Sequence, residues 1–410
     1  MKPRLLSINN YHYRRGGVEA VYLDHASLFE KMGWDNGFFS MHHQKNLESE
    51  WSKYFVDEIE LGENYGVMQK IKMAGKVINS NEAAKKVSQL INDWRPDVAH
   101  AHAIYHHLSP AILPAIKQQG VPIVLTAHDL KLACPAYKMM NKNGVCESCK
   151  TGNFTNLLKN KCIHESLAMS GLVMLEAYFH GFKKTYVNNL SKITTPSQFF
   201  KTKLVEWGWP DDMIEYIPNF IDIKDYEPNY TPGNYFLYFG RLSAEKGVKT
   251  LLQACVKAGV KLVLAGSGPI EDELKKTAAD LNADADFKGF CSGQDLFDLV
   301  KQSRGVVLPS EWYENAPISV LEAYALGKIV IGANIGGIPE MISSEETGFL
   351  FESGNVEQLA GCLEKVISLD DSKLEEMGRY ARNHHEATYS EKRYVTEMTE
   401  LYDSIGVRTH

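Results

Sequence analysis

The 410-residue sequence contains no apolar run approaching the 18 or so residues of a transmembrane helix. Its N-terminus, MKPRLLSINNYHYRRGG, holds only the short run LLSI, which predicts a first strand rather than a signal peptide. Together these absences lead to the expectation of a cytoplasmic protein. Cysteine is sparse and odd in number; seven residues suit a reducing compartment better than a disulfide scaffold. Positive excess is missing as well: the net charge is −7, which argues against a dedicated nucleic-acid binder. There is no internal repeat and no low-complexity tract. What is present, 44% hydrophobic and 23% charged residues, is the composition of a globular chain with ample core and room for two or three domains.

Charge is unevenly spread. Residues 130–205 carry eleven lysines and no arginine, against three glutamates and no aspartate, a balance of +8 that leaves −15 for the rest. Such a region can face anionic lipid headgroups or a polyanionic substrate, or be a solvated lysine-rich surface. Within it, SLAMSGLVMLEAYFHGFKK is apolar and ends in lysines. It reads as an interfacial helix or a core helix, with the core reading preferred.

Short apolar runs alternate with helical patterns. RLLSIN precedes GVEAVYLDHASLFEKMGW, and PDVAHAH and VPIVLTAHD flank a second helical stretch. A second series follows: YFLYFGRL, VKLVLAGSGP, RGVVLPS and KIVIGANIGG, each leading into a helix. This alternation predicts an α/β chain with two parallel, doubly wound sheets. Residues 206–234, rich in Pro, Asp, Asn and Gly, read as the connection between them. In such sheets ligands bind beyond the carboxyl ends of the strands, so the strand-to-helix loops are where chemistry is expected.

Several of those loops are suited to it. GRLSAEKG places Arg241 and Lys246 after a strand and beside a helix start, an anion site in pattern. LAGSGP supplies Gly266 and Gly268 but no third glycine, so a dinucleotide fingerprint is weak; close backbone approach or a tight turn is the simpler reading. Gly16 and Gly17 open the first helix, where free amides could meet a phosphate or simply make a βα turn. Glu314 follows a buried strand, with Asn315, Ala316 and then Pro317 leading a helix, so its carboxylate sits at a helix's positive end. Glu322 lies about two turns further in, within ISVLEAYALG, where an acid is costly unless polar partners meet it. Two such carboxylates could grip two sets of hydroxyls. His128 and Asp129 end a first-domain strand, His128 either as a cleft residue or as a satisfied loop histidine. An Asp-x-Asp, Asp284 to Asp286, precedes a strand rather than following one, a poor position for a metal motif.

Cys134, Cys146, Cys149 and Cys162 fall within 29 residues and include a Cys-x-x-Cys. A tetrahedral structural zinc fits this spacing; free thiols or a redox pair fit it too.

Taken together, Glu314 with Glu322, the GRLSAEKG pair, the early GG loop, His128 in TAHD and the GGIPEMI segment resemble a retaining glycosyltransferase of family 4. The resemblance covers nearly the whole chain and implies the GT-B fold, two Rossmann-like domains facing a central cleft. It implies an acceptor domain at 1–205, with a Cys-rich insertion at 130–165 and a C-terminal helix, 388–410, crossing back to it. It implies a donor domain at 206–387. The expected donor is a UDP- or GDP-sugar, and the expected acceptor a lipid-linked saccharide or polysaccharide, reached without a catalytic metal and with peripheral membrane contact through 130–205. By the same resemblance, Arg241 and Lys246 hold the diphosphate, and Glu314, with Asn315 and Ala316, binds the sugar. Glu322 binds the ribose. Gly16 and Gly17 close over the phosphate, Gly266 is a further donor-binding position, the base rests near Gly289 and Phe290, and His128 lies near the reacting centre. A nucleotide-sugar epimerase, a phosphorylase on the same fold or a catalytically inactive binding module are the competing readings.

Overall fold

The computed structural model describes residues 2–59 and 67–409. Residues 60–66, in the expected first domain, and His410, the last of the expected C-terminal segment, lie outside the described residues. The chain forms two compact units, one reaching Ile217 and taking the chain back from Val395, the other Pro218–Tyr394.

The first unit is built on six strands and a small hairpin. The strands are β1 (Arg4–Ile8), β2 (Asp35–Phe39), β3 (Val98–Ala101) and β4 (Ile123–Thr126); the hairpin is β5 (Met140–Asn141) with β6 (Gly144–Val145); β7 (Lys192–Thr195) and β8 (Ile214–Tyr216) complete the sheet. The sheet order is β2-β1-β3-β4-β7-β8, every pairing parallel. Leu5, Leu6, Val98, Ala99, Ile123, Val124 and Leu125 are fully buried, as expected where both sheet faces are covered.

The second unit carries β9 (Phe236–Phe239), β10 (Leu262–Ala265), β11 (Ala285–Gly289), β12 (Gly305–Leu308), β13 (Val330–Ala333) and β14 (Gly348–Phe351). Their order is β11-β10-β9-β12-β13-β14, again all parallel. Alternate residues feed two cores. Phe236, Tyr238, Leu262, Leu264, Val307 and Ile331 pack on one face, and Leu237, Phe239, Val263, Val306, Leu308 and Val330 on the other.

The boundaries differ from the expected ones. Residues 206–217 belong to the first unit, because Ile214–Tyr216 pairs parallel with β7 through Ile193↔Ile214 and Thr195↔Tyr216. The helix Asp371–Thr388 stays with the second unit, and the return falls inside the helix Glu391–Ser404.

Candidate active site

In the second sheet the chain leaves β9 towards β10 and leaves β12 towards β13, although β9 and β12 are neighbours. The loops after these two strands therefore diverge, and open α/β sheets bind ligands at such a switch point. The loop after β9 holds Arg241 and Lys246. The loop after β12 holds Glu314, Asn315 and Ala316.

An ion pair ties the two loops together. Lys246 Nζ lies 2.6 Å from Glu314 Oε1, and the Ser310 hydroxyl donates to the same oxygen at 2.6 Å. Glu314 is only 6% exposed, so its charge depends on these partners. Both contacts fall on Oε1, and no described residue engages Oε2. The Lys246 ammonium also sits 5.2 Å from the Trp312 ring centre. The Glu314 backbone is clamped from the loop after β13, where the Gly337 amide donates to its carbonyl at 2.9 Å. Beside it, Gly336 has φ +62°, and a Cβ there would stand 2.4 Å from that same carbonyl oxygen. Asn219 Nδ2 donates to the Ala316 carbonyl at 3.3 Å, fixing the loop's far end.

The following helix is Ile318–Ala325, and Pro317 stands ahead of it as an extended N-cap residue rather than inside its first turn. The Glu322 carboxyl on this helix makes no hydrogen bond or ion pair with any described residue, and burial pushes it up to about 7. Arg241 is exposed, and among the described residues its guanidinium has no partner. At this one switch point, then, lie an uncommitted guanidinium, a lysine shared with a buried carboxylate, and a second carboxyl without a partner.

Gly266 has a reason inside the chain. With φ +154°, it lies so close to Gly240 that a Cβ would be 1.8 Å from that carbonyl oxygen. It serves the contact between the loops after β9 and β10. Gly289 ends β11, its carbonyl accepting from the Gly266 amide at 2.6 Å, and Phe290 after it is 77% exposed. Asp286 lies within β11 and pairs with Lys288 at 2.7 Å, away from the strand ends where ligands gather.

In the first unit, Gly16 and Gly17 are exposed at the start of the helix Gly17–Lys31, at that sheet's switch point between β1 and β3. The Glu19 carboxyl folds onto this turn. Burial raises its pKa, and the amides of Glu19 and Gly16 with the Asn9 side chain draw it back. A carboxylate of the chain's own thus already uses amides the sequence left free. His128 follows β4, its Nε2 2.8 Å from His102 Nδ1 and its ring stacked on His102 at 5.1 Å. Burial pushes His128 down to about 3, so the imidazole is neutral. Burial likewise raises Asp129 to about 6.

His128 ends a stack of buried rings that sequence reading missed. His100 lies 4.8 Å from His102, and His25 lies 4.5 Å from His100. His100 Nδ1 contacts the Tyr402 hydroxyl at 2.6 Å and Nε2 the Thr126 hydroxyl at 2.7 Å. The His-x-His of β3 was the available signal. Also missed was a first-unit cavity lined by Tyr11, Glu58, His106, His107, Tyr137 and His164 among apolar residues. Three of these, His106, Tyr137 and His164, hold positive φ, a conformation that costs energy and gathers at working sites.

Cys134, Cys146, Cys149 and Cys162 line one cavity with Trp207, and no cysteine forms a disulfide. Burial, then the neighbouring thiols, push Cys149 up to about 12 and Cys162 up to about 11. As the side chains stand, no three His, Cys, Asp or Glu residues among the described residues are arranged to hold a metal ion. Among the described residues no helix is long and apolar enough to cross a membrane.

Comparison with known proteins adds to this. A family model described as Glycosyltransferase Family 4 matches residues 15–225, just over half of the chain, and one described as Glycosyl transferases group 1 matches residues 220–384. An uncharacterized glycosyltransferase of Methanocaldococcus jannaschii is 29% identical over 199 residues, 43% of this chain and 51% of that protein. The alpha-D-kanosaminyltransferase of Streptomyces kanamyceticus is 28% identical over 179 residues, 42% and 46% of the two chains. The matched stretches thus span about half the length of these curated relatives. The glycogen synthase of Mycobacterium tuberculosis is 27% identical over 75% of this chain and 69% of its own. Among solved structures, HepE of Anabaena in complex with UDP and glucose superposes with a TM-score of 0.69 at 18% identity, over 98% of this chain and 100% of that one. Sucrose-phosphate synthase of Thermosynechococcus elongatus gives 0.73 at 18% identity, over 99% of each.

Proposed function

Because the chain belongs to glycosyltransferase family 4 and has the GT-B fold, we infer that it transfers a glycosyl group from a nucleotide sugar to a hydroxyl of an acceptor, retaining the anomeric configuration. The observation that carries this reading is the Lys246–Glu314 pair at the β9/β12 switch point, with the unpartnered Arg241 on the same loop as Lys246.

In this reading Arg241 and Lys246 bind the donor diphosphate, at the end of the sheet where anions are favoured. As the bond from the anomeric carbon to the phosphate oxygen breaks, negative charge grows on the diphosphate, and the two cations stabilise it. The acceptor hydroxyl attacks the same face that the diphosphate leaves. Its proton passes to a phosphate oxygen, and the nucleoside diphosphate departs. No covalent intermediate and no metal enters the scheme. Glu314, anchored through Oε1, offers Oε2 to the hydroxyls of the donor sugar. Glu322 accepts from the ribose hydroxyls, which supply the polar partners its position lacks. Gly16 and Gly17 cover the phosphates, the base rests near Gly289 and Phe290, and His128 is the first unit's residue for the reacting centre.

The donor is a UDP- or GDP-sugar and the acceptor a lipid-linked saccharide or polysaccharide. The first-unit cavity, lined by apolar side chains with Tyr, His and Glu residues among them, is the place we assign to the acceptor. A structural zinc on the four cysteines completes the proposal, outside the reaction; the thiols must close further to hold it.

Titration calorimetry against UDP-, GDP-, ADP- and TDP-sugars, with Arg241→Ala alongside, tests the reading. One donor is expected to bind and to lose affinity in the variant. Proton NMR of the product then reports the anomeric configuration. Binding with epimerisation of the donor, or binding without any product across acceptors, would transfer support to the epimerase or the inactive module.

A further inference from the structure

The helix Leu167–Phe182 has an outer face that the proposed chemistry does not use. Its buried residues are Ser170, Val173, Glu176 and His180. Leu167, Leu175, Tyr178 and Phe182 are 56%, 55%, 40% and 91% exposed. At about 100° per residue these four fall within an arc of roughly 80°, on the side opposite the buried set. The sequence expectation of a core helix is therefore corrected: one face is in the core, and on the other Leu167, Leu175 and Phe182 are open while Tyr178 is half-covered, its hydroxyl accepting from the Phe154 amide at 3.0 Å. The outer face of a surface helix is ordinarily polar. Here it has no charge at all, because the only carboxylate of the helix, Glu176, is turned inward to Lys131 at 2.8 Å. Single exposed apolar residues need no explanation, but an aligned set does.

Lysines bracket this stripe. Lys159 and Lys161 precede the helix, and Lys183 and Lys184 follow it directly; all four are exposed. Among the described residues none of the four is in an ion pair. The Lys183 ammonium lies over the Phe179 ring at 4.4 Å, its stem along apolar surface and its charge outward. Lys159 belongs to the short helix Asn156–Asn160, which packs on the long one where Leu158 meets Gly171.

We propose that this face docks on an anionic lipid surface, the helix lying in the plane of the interface with Leu175, Tyr178 and Phe182 among the upper acyl chains and the lysines at the phosphates. The helix is about 24 Å long, too short to span a bilayer but suited to lie on one. Charge selects lipid over a second copy of this chain. A two-fold contact would bring the stripe's own lysines against one another, whereas anionic headgroups complement them. The rest of the protein, at −15, is repelled by the same surface, which orients this region towards it. This surface is independent of the donor-site reading.

Co-sedimentation of the full chain with vesicles of phosphatidylcholine plus phosphatidylglycerol, against phosphatidylcholine alone, tests it. Binding to the anionic vesicles is expected, at least about tenfold weaker on the neutral ones and reduced by salt. Lys183→Glu with Lys184→Glu, and separately Leu175→Ser with Phe182→Ser, are expected to cut binding about tenfold or more while thermal melts stay unchanged, since all four positions are exposed. Anionic-vesicle binding that neither variant weakens, or no binding at all, overturns the proposal. So does a dimer in light scattering that Leu175→Ser with Phe182→Ser dissolves, which would give the face to a second copy.

Discussion

The two units share a plan, six parallel strands with a switch point, yet they treat charge in opposite ways. At the second unit's switch point charged side chains are paired with one another or left in solvent. Lys246 and Glu314 satisfy one another, Ser310 donates to the carboxylate, and Arg241 stands in solvent. Around the first unit's strand ends the histidines are kept neutral: burial pushes His25 and His128 down to about 3, and His100 and His102 well below the usual range. A site of fixed charges suits recognition of an ionised diphosphate. A stack of neutral imidazoles suits hydrogen bonding and packing at little electrostatic cost. On the proposed reading, this contrast matches a donor held by the second unit and an acceptor held by the first.

The largest effect should follow from disturbing the charged side. Glu314→Gln keeps the side chain's size and an acceptor for Ser310 but removes the charge that faces Lys246. We expect kcat/KM to fall by roughly a hundred- to a thousandfold, the range for a single preorganised electrostatic contact, with the circular dichroism spectrum preserved. Arg241→Ala should weaken donor binding by about tenfold, the value of a charge-assisted contact, and leave Tm unchanged because Arg241 is exposed. If Glu314→Gln lost less than tenfold, the chemistry would not depend on the second unit's charges, and the contrast would lose its functional meaning.

The charged side was also the legible one. Arg241, Lys246 and Glu314 lie where short apolar runs end and helical patterns begin, and Glu322 is an acid within the apolar helix that follows, so their positions followed from period and punctuation. Their supports did not. Ser310 acts from four residues before Glu314 within the same loop, and Gly336 acts from the next loop, 22 residues further on, through a contact that exists only in space. On the neutral side, the histidine stack is assembled from residues 25, 100, 102 and 128, and beyond the His-x-His at 100–102 no local pattern records that assembly. β8 was hidden for a different reason: three residues between Pro210 and Pro218, among aspartates, read as linker until the parallel pairing with β7 is seen. The helix Leu167–Phe182 is apolar nearly all round, so periodicity could not say which face turns inward.

Acid should separate the units next. His12, His106 and His107 are lowered to about 4, and His25 and His128 to about 3, all in the first unit and all chiefly by burial. Each folded pKa lies below the unfolded value near 6.5. The neutral form's stability is therefore fully present above about 6.5 and is lost as pH falls from there towards the folded values. Each such group costs about 1 kcal/mol one unit below its unfolded pKa, several kcal/mol together. Asp129, raised to about 6, offsets part of this, since a protonated buried carboxyl gains as pH falls. In the second unit His385 is lowered to about 4 and His384 is lowered too, a lighter load. Calorimetric melts from pH 7.5 to 5 should show the first unit's transition moving down faster; hydrogen exchange in β1 and β3 against β9 and β12 would assign it. Earlier loss of the second unit would contradict the contrast.

A smaller pH effect belongs to the second unit itself. Glu322, raised to about 7 by burial, must be ionised to accept strongly from hydroxyls. Donor affinity should therefore fall as pH drops below about 7, approaching tenfold per unit at most, and Glu322→Gln should bind more weakly but without that slope. An unchanged slope in the variant would assign the titration to another group.

The smallest functional effect should come from the cysteine segment, which has no counterpart in the second unit. Its own core cluster is slight: Ala136, Leu157 and Ile163 with Val173 of the long helix form it, and Cys134, Cys149 and Cys162 pack against them. Segments with so little core are commonly held by a staple, and four thiols on one cavity, none in a disulfide, can supply one as zinc ligands. Metal analysis of the purified protein should then give about one zinc per chain. Cys149→Ser should lose it and lower the first unit's Tm by a few degrees, while kcat with saturating substrates stays near that of the parent protein, because no step of the transfer passes through the metal. Zinc near zero, with seven thiols titrating freely in denaturant, would leave the segment as packed free cysteines. A large fall in kcat would instead show that the metal-held segment, which contributes Tyr137 and His164 to the cavity assigned to the acceptor, must be rigid for the acceptor to react.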